Sequence, residues 1–285
     1  MGWKMLKPDI MEQFRGYFAR DGYLNICSMR KKSHDFYDFF SMKAPGGAKM
    51  FGKYLEDKIL IDAEVLMSAV YHEMGVKTPI YLPFMERHQM GVVCEDVVEH
   101  DSTAKLISEI QREEGSKIFK DLCIRNLLKK KDFKSLDTTL TTEAANDIIT
   151  MTHLDYASRN TDRSTNNLFL GDRKPNGKFG SAISIDYGAT ADKFSKYHTS
   201  ADKFYLGIDD RQIGRFEYIL QMCAIEDWYK MVTPREFIEK LDKVNVREIA
   251  RKIKETYGYE IDKRYLNFIE YSYKDFVDTA NTYMQ

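Results

Sequence analysis

The stretch DYASRNTDRSTNNLFL at residues 155–170, followed by ISIDYG at residues 183–188, decides how the chain is interpreted. Charged and amide side chains crowd together in the first stretch, immediately before a short apolar run. A polar segment bounded by glycines, residues 171–180, leads to a second apolar run that finishes with an acid and a glycine. This pattern predicts two short strands joined by a hairpin, with polar side chains gathered at the strand ends.

Three side chains of these stretches have the chemistry that phosphoryl transfer needs. Asp162 is the candidate that orients or deprotonates an acceptor hydroxyl, mainly by positioning, because a free aspartate with a pKa of about 3.9 is a weak base. Asn167 offers an amide oxygen and Asp186 a carboxylate, and both are hard ligands suited to Mg²⁺ on a triphosphate. Asn166, the neighbour of the proposed amide ligand, stays open as the alternative.

Such a site also needs a cation on the phosphates and a carboxylate that holds this cation. Lys43, at the end of a predicted strand, is the first choice for the cation, and Glu64, on the predicted helix that follows, is its proposed partner. Lys49 and Lys53 remain alternatives, because residues 48–54 could form the relevant strand instead. Each lysine alone would be interpreted as a solvated surface charge.

A polar turn at residues 28–34 is a candidate cover for the triphosphate. It lacks the G-x-G-x-x-G pattern, so a phosphate site there would depend on Ser33, on backbone amides and on the neighbouring basic side chains. A plain solvated hairpin is the alternative interpretation.

Hydrophobic periodicity divides the chain into a β-rich part and a helical part. The first part has strands predicted at 23–29, 35–44, 78–84 and 90–98, a polar connection at 30–33, and a helix at 59–75. The second part has helices predicted at 102–114, 116–130, 142–159, 213–231, 234–243, 246–257 and 262–283. We therefore predict a bilobal α+β fold with a small N-terminal lobe, residues 1–98, a larger helical lobe, residues 99–285, and the active site between them.

Composition limits the function classes. The 285 residues carry a formal net charge of -1, so no global field attracts nucleic acid or an anionic membrane. No apolar run is long enough for a membrane span and no secretory signal is visible, which predicts a cytoplasmic protein, with leaderless export left open. The four cysteines form no C-x-x-C pair, so zinc or thioredoxin chemistry is unsupported.

Two segments resemble a known family. NTDRSTNN at residues 160–167, with IDYG at residues 185–188, resembles the catalytic and metal-binding motifs of the HipA-like serine/threonine kinases. It is similar, more distantly, to the phosphatidylinositol 3/4-kinase-like branch of the protein-kinase fold. FSMK at residues 40–43, with DAEVL at residues 62–66, resembles the nucleotide lysine and its helix partner.

The resemblance implies ATP and Mg²⁺ as cofactors and a bilobal protein-kinase-like fold. It makes Asp162 the catalytic aspartate and Asn167 and Asp186 the metal ligands. It places adenine against residues 93–96, so that Val93 and Glu95 belong to the nucleotide site. The sequence departs from the family pattern after Arg163, where a serine follows, and at residue 187, which is tyrosine.

The expected reaction is transfer of the ATP γ-phosphate to a hydroxyl of a protein serine or threonine. Three alternatives stay open. The first is a small-molecule or lipid kinase on the same fold, and the second is a pseudokinase that binds nucleotide without turnover. The third is a helical interaction protein that binds no nucleotide. Neither a membrane nor a nucleic acid is expected as a partner.

Overall fold

A computed structural model of the chain describes residues 14–26, 31–33, 39–115, 133–191, 203–206 and 212–284. Within these ranges the side chains of 15, 31–33, 99–100, 203–206 and 212–213 are not described. The predicted helix at 116–130 and most of the proposed phosphate-covering turn at 28–34 lie outside the described residues.

A six-stranded sheet forms the N-terminal lobe. Its strands are β1 (Leu24–Asn25), β2 (Lys31–Ser33), β3 (Phe39–Lys43), β4 (Lys49–Leu55), β5 (Leu82–Glu86) and β6 (Gln89–Glu95). Their spatial order is β1-β5-β6-β4-β3-β2, and β1 with β5 is the parallel pair. Residues 31–33, predicted as a polar connection, are a strand, because they pair antiparallel with β3. Residues 48–54, which the sequence left open, supply β4.

Helix α1 (Lys58–Glu73) packs on strands β4, β5 and β6. Asp57 caps it by accepting a hydrogen bond from the Ile59 amide at 3.0 Å. Gly75 follows its C-terminus with a φ of +85°, a conformation that glycine adopts without steric cost. The predicted helix at 59–75 is therefore confirmed.

The C-terminal lobe is mainly helical. Its helices are α2 (Val97–His100), α3 (Ile107–Glu114), α4 (Thr142–Ser158), α5 (Arg215–Cys223), α6 (Pro234–Leu241), α7 (Val246–Tyr257) and α8 (Lys263–Tyr283). The predicted helix at 102–114 starts later than expected, because strand β7 (Lys105–Leu106) precedes it, and the helix predicted at 213–231 ends at Cys223. Helix α8 contacts α4, α5, α6 and α7. Within the described ranges, no helix combines the length and apolar character required to cross a membrane.

Two three-stranded sheets complete this lobe. The first joins β7 to a hairpin of β9 (Leu168–Arg173) and β10 (Phe179–Ser184), in the order β10-β9-β7. The second joins β8 (Asp162–Arg163), β11 (Lys203–Leu206) and β12 (Gln212–Gly214). The predicted hairpin around residues 171–180 is confirmed by the antiparallel register of β9 and β10.

One large hydrophobic core runs through both lobes. A second, small cluster lies near the crossing from β6 to β7 and consists of Val97, Ala104 and Ile183, with half-buried Phe169 and Ile185 packed against it. The chain passes between the lobes after β6, while the exact boundary at residue 98 stays a prediction.

Candidate active site

A lysine shared by two carboxylates marks the candidate active site. Lys53 Nζ, on β4, lies 3.1 Å from Glu64 Oε1 of α1 and 2.9 Å from Asp186 Oδ1, just after β10. The Glu64 side chain is fully buried, whereas 20% of the Lys53 side chain and 34% of the Asp186 side chain are exposed. A strand and a helix of the first lobe therefore meet a loop of the second lobe at one ammonium group that solvent can reach.

Lys43, the first choice from the sequence, does not belong to this cluster, and the predicted Lys43–Glu64 pair is wrong. Lys43 is exposed at the last position of β3, opposite Lys49 in the ladder with β4. Lys49 precedes Lys53 by four residues, which is about 13 Å along an extended strand. Lys49 and Lys53 lie on the same face of the sheet, because an even number of residues separates them. Lys53 is the lysine that pairs with Glu64.

Burial and charge act in opposite directions on the three groups. Burial raises the pKa of Glu64, although Lys53 opposes the rise. Burial also acts to raise the pKa of Asp186, but the adjacent ammonium outweighs it and the pKa is lowered. Burial acts to lower the pKa of Lys53, and the two carboxylates reverse this and raise it above its ordinary value. The lysine therefore stays charged and is held in place for an anionic ligand.

The backbone at Asp186 has a left-handed conformation, with a φ of +61°. The next residue, Tyr187, is fully buried and held at three points. Its amide donates to Glu64 Oε2 at 2.9 Å, and its hydroxyl lies 2.7 Å from Thr78 Oγ1 and 3.3 Å from the Ser184 carbonyl oxygen. A non-glycine residue in this region costs of order 1 to 3 kcal/mol, and the bonds of Tyr187 offset that cost.

A buried arginine connects the loop after α4 to the strand that enters Asp186. Arg163 donates to both oxygens of Asp155, through Nε and Nη2, at 3.0 Å each. Its Nη1 donates to the carbonyl oxygens of Asn167, at 2.9 Å, and Ile185, at 2.5 Å. Only 4% of the Arg163 side chain and 6% of the Asp155 side chain are exposed. These contacts give Arg163 a structural role, in which it stiffens the loop.

Asp155 also accepts hydrogen bonds from outside this pair. The Tyr71 hydroxyl of α1 donates to its Oδ1 at 2.7 Å, and Asn160 Nδ2 donates to the same oxygen at 2.9 Å. The carboxylate thus joins α1, α4 and the loop of Asp162. Sequence reasoning missed Tyr71, because nothing local distinguishes it from an ordinary apolar position of the helix.

Asn167 is bonded to the backbone at Asp162 and at Ile185, the residue before Asp186. Its Nδ2 donates to the Asp162 carbonyl oxygen at 2.6 Å, which uses the amide nitrogen and leaves Oδ1 for a cation. Its own carbonyl oxygen accepts the Ile185 amide at 3.1 Å, one residue before Asp186. The Asp162 side chain is exposed, and so is that of Asn166, whereas Asn167 is buried. The side chain of Asn167 is therefore bonded to the loop backbone, while Asn166 donates its backbone amide to Ser164 Oγ at 3.3 Å.

The segment predicted to contact adenine lies at the end of β6. Val93 is opposite Gly52 in the ladder, whereas Val92 is opposite Lys53. Alternation along the strand therefore turns the side chains of Val93 and Glu95 to the face away from Lys53. Any contact of these two residues with a base on the Lys53 face must use their backbone groups.

Partly exposed apolar side chains flank the lysine cluster in both lobes. Phe39 and Phe51 stack at a centroid distance of 5.6 Å and share the face of Lys53 by register. In the second lobe, Phe169 and Ile185 are half-buried, and Ile185 immediately precedes the metal-ligand candidate. Flat apolar surfaces of this kind suit a purine ring.

Ser33, predicted near the phosphates, is the last residue of β2, and its side chain is not described. Because β2 pairs antiparallel with β3, the connection between them is residues 34–38, which lie outside the described residues.

The donor set fits a magnesium ion. Asn167 Oδ1 and the Asp186 carboxylate are hard oxygen donors of the kind that Mg²⁺ prefers, and Lys53 bonds to Oδ1 of Asp186. In the part of the chain that the structure describes, no group of three or more His, Cys, Asp or Glu side chains forms a metal cluster. Mg²⁺ commonly takes one or two protein ligands and completes its shell with water and substrate phosphates, so two donors suffice.

Comparisons with known proteins identify the fold. No protein-family model and no curated protein sequence matches the chain. The structure of the proinflammatory kinase CtkA of Helicobacter pylori is similar with a TM-score of 0.56 and 12% identity, over 92% of this chain and 98% of that chain. The fold is protein-kinase-like.

Two further structures are more distant. HipA of Shewanella oneidensis MR-1, solved with HipB and operator DNA, has a TM-score of 0.48 and 11% identity, over 90% of this chain and 64% of that chain. Aminoglycoside phosphotransferase APH(3'')-Id of Streptomyces rimosus has a TM-score of 0.22 and 10% identity, over 88% of this chain and 92% of that chain. Both similarities are too weak to support an argument, and the likeness to CtkA concerns the fold alone.

Proposed function

We propose that the chain is an ATP-dependent phosphotransferase that transfers the γ-phosphate to the hydroxyl of a protein serine or threonine. One observation carries the proposal: Lys53 is bonded both to Glu64 of the first lobe and to Asp186 of the second. A kinase fold needs a lysine on the nucleotide phosphates, a carboxylate that holds this lysine and an aspartate for the metal. All three kinds of group meet here, and the kinase CtkA has a similar fold.

The nucleotide would lie along the face of the sheet that carries Lys53. Its phosphates would bind the ammonium group, which keeps its charge through the two carboxylates. The adenine would lie against the apolar side chains of Phe51 and Ile185, and backbone groups at the end of β6 would hydrogen-bond its edge. Phe51 shares the Lys53 face of the sheet by register.

Asn167 and Asp186 would hold Mg²⁺, which neutralises charge on the β- and γ-phosphates when it is bound. The chain orients both ligands before the ion arrives. The bond from Asn167 Nδ2 to the Asp162 carbonyl oxygen fixes the side-chain amide and leaves its oxygen for the ion. The left-handed backbone at Asp186 and the buried neighbour Tyr187 hold the carboxylate beside Lys53.

Asp162 would accept a hydrogen bond from the acceptor hydroxyl. The hydroxyl oxygen forms a bond to the γ-phosphorus while the bond from this phosphorus to the β–γ bridging oxygen breaks. ADP leaves with the electron pair of the broken bond, and the hydroxyl proton passes to Asp162 late in the reaction. The exposed side chain of Asp162 is compatible with an acceptor as large as a protein segment.

The experiment combines a thermal shift with a phosphotransfer assay. Mg-ATP at a hundredfold excess over its Kd should stabilise the wild type by about 2.7 kcal/mol. For a chain of 285 residues this corresponds to about 4 to 5 °C. Asp162→Ala should keep this shift, because it leaves the nucleotide contacts intact, and should lose transfer of radiolabelled phosphate.

The outcomes separate the alternatives. If Mg-ATP does not shift the melting temperature of the wild type, nucleotide binding is refuted and the interaction-protein hypothesis gains. A shift without transfer to any acceptor would indicate a pseudokinase. Transfer to an inositol lipid or an aminoglycoside, but not to protein, would indicate a lipid or small-molecule kinase. Equal transfer by Asp162→Ala and the wild type would remove the role assigned to Asp162.

A further inference from the structure

Helix α1 carries a second buried acid besides Glu64. Asp62 and Glu64 are two positions apart, so their side chains leave the helix about 200° apart. Both are completely buried. Glu64 meets Lys53 and the amide of Tyr187, whereas Asp62 meets the turn between α7 and α8 of the other lobe.

Asp62 accepts four hydrogen bonds. Lys58 Nζ, one turn earlier on the same helix, lies 2.8 and 3.0 Å from its two oxygens. The Tyr259 hydroxyl donates to Oδ1 at 2.7 Å, and the Asp262 amide donates to Oδ2 at 3.1 Å. Lys58 Nζ also donates to the Glu260 carbonyl oxygen at 2.9 Å. Every oxygen of the buried carboxylate is therefore matched by a donor from the C-terminal turn.

The surroundings of Tyr259 are closely packed. Its ring meets the ring of Tyr23 edge to face at 5.2 Å. A Cβ atom at Gly22 would lie 2.2 Å from the Tyr259 amide nitrogen, so the N-terminal segment approaches this turn at the backbone. At the opposite end of α1, Lys240 Nζ of α6 donates to the Met74 carbonyl oxygen. One end of α1 is thus bonded to the turn between α7 and α8, and the other end to helix α6.

We infer that Lys58, Asp62, Tyr259 and the Asp262 amide form a latch that holds α1, and with it Glu64, against Lys53 without any ligand or partner. The consequence for catalysis rests on the proposed function, in which Asp62 is a positioning residue and the Lys53–Glu64 pair needs no separate activating event. An outward shift of α1 would take from the buried Asp62 its bonds from Tyr259 and Asp262 and leave it with Lys58 alone, which opposes the shift.

Hydrogen exchange of the nucleotide-free protein tests the latch directly. Tyr259→Phe removes one donor to Asp62 and keeps the ring. Tyr257→Phe is the matched control: it makes the same change two residues away, on a ring that stacks on Phe18 at 5.8 Å instead of meeting Asp62. Amides of α1 should exchange about tenfold faster in Tyr259→Phe than in the control. Amides of α4, the central helix of the second lobe, should be unchanged.

Kinetics give the second measurement. Mg-ATP binds the paired state, so loosening the latch should raise the KM for ATP, by up to about tenfold, and leave kcat at saturating ATP unchanged. A merely structural role would lower the amount of active protein and leave KM unchanged. Lys58→Met, in the half-exposed first turn of α1, should reproduce both effects if Tyr259→Phe does not fold.

Several results would overturn the inference. Equal exchange in Tyr259→Phe and Tyr257→Phe, or equal acceleration of α1 and α4, would show that Asp62 contributes only to global stability. An unchanged KM in both latch variants would have the same meaning. If the wild type itself bound no Mg-ATP, the proposed function would fail, while the exchange experiment, performed without nucleotide, would still decide whether the latch holds α1.

Discussion

Arg163→Met is the substitution that tests the buried network of the candidate site most severely. Methionine fills a similar elongated volume but offers no donor, so both Nε and Nη2 bonds to Asp155 are lost, together with the bonds to the Asn167 and Ile185 carbonyl oxygens. Asp155 would keep its bonds from Tyr71 and Asn160 but lose the only opposite charge among its described partners.

The expected cost follows from burial. Only 6% of the Asp155 side chain is exposed, so its charge cannot be solvated after the arginine is removed. Breaking a buried pair by removing one partner costs about 3 to 5 kcal/mol, whereas an exposed pair is worth about 1 kcal/mol or less. For a chain of 285 residues the entropy of unfolding is about 0.6 kcal/mol per kelvin. The melting temperature should therefore fall by about 5 to 8 °C.

The matched control is Arg173→Met. Arg173 pairs with Glu114 at the surface, where 45% of the arginine side chain is exposed, so this variant should lose about 1 kcal/mol or less in urea unfolding followed by circular dichroism. A second variant, Arg163→Met with Asp155→Leu, should recover part of the loss, because it removes the unpaired charge. Equal destabilisation by the two arginine variants would refute the reasoning from burial.

Two further predictions use the same protein. Lys53→Met should abolish both the Mg-ATP thermal shift and phosphotransfer. Lys43→Met removes an exposed charge about 13 Å along the ladder and should keep both. Loss of both in Lys43→Met but not in Lys53→Met would reverse the assignment. Burial lowers the pKa of His153 to about 3, so below an ordinary pKa of about 6.5 the unfolded chain binds a proton that the native chain does not. This contribution to stability is complete above pH 6.5 and lost as the pH falls, by about 1.4 kcal/mol between pH 7.5 and 5.5. Urea titrations give the free energy of unfolding at both pH values. The fall in this free energy from pH 7.5 to 5.5 should be smaller by about 1.4 kcal/mol in His153→Asn than in the wild type.

Much of the candidate site could be predicted because many of its residues lie close together in the sequence. Asp155, Arg163 and Asn167 lie in one short loop and the helix before it, inside the polar stretch at residues 155–170 from which the site was predicted. Local sequence is informative here because the loop bonds to itself.

The choice of lysine could not be made from sequence. Lys43, Lys49 and Lys53 lie on the same face of the β3–β4 hairpin, so the alternation of side chains along the strands does not distinguish them. Which one reaches Glu64 depends on where α1 crosses the sheet, and that is decided by packing of the whole helix against the strands. The side-chain directions of Val93 and Glu95 depend in the same way on a ladder register that only pairing with β4 shows.

Asp62 enters the sequence analysis only as part of the DAEVL segment, although its surroundings indicate a buried carboxylate that needs hydrogen-bond donors. It lies between apolar residues of a helix whose other acid was already assigned, and a carboxylate in such a place must find donors. Its partner Tyr259 is 197 positions away, a separation over which no periodicity informs. Contacts of this range are set by tertiary packing alone.

That separation also orders events during synthesis. Asp62 receives its bonds from Tyr259 and Asp262 only after these residues have been added to the growing chain. At about 5 to 20 residues per second, translation from Asp62 to Tyr259 takes roughly 10 to 40 s. Throughout this interval Asp62 can pair with Lys58 but not with its partners in the second lobe, so the first lobe reaches its finished form only after Asp262 has been synthesised.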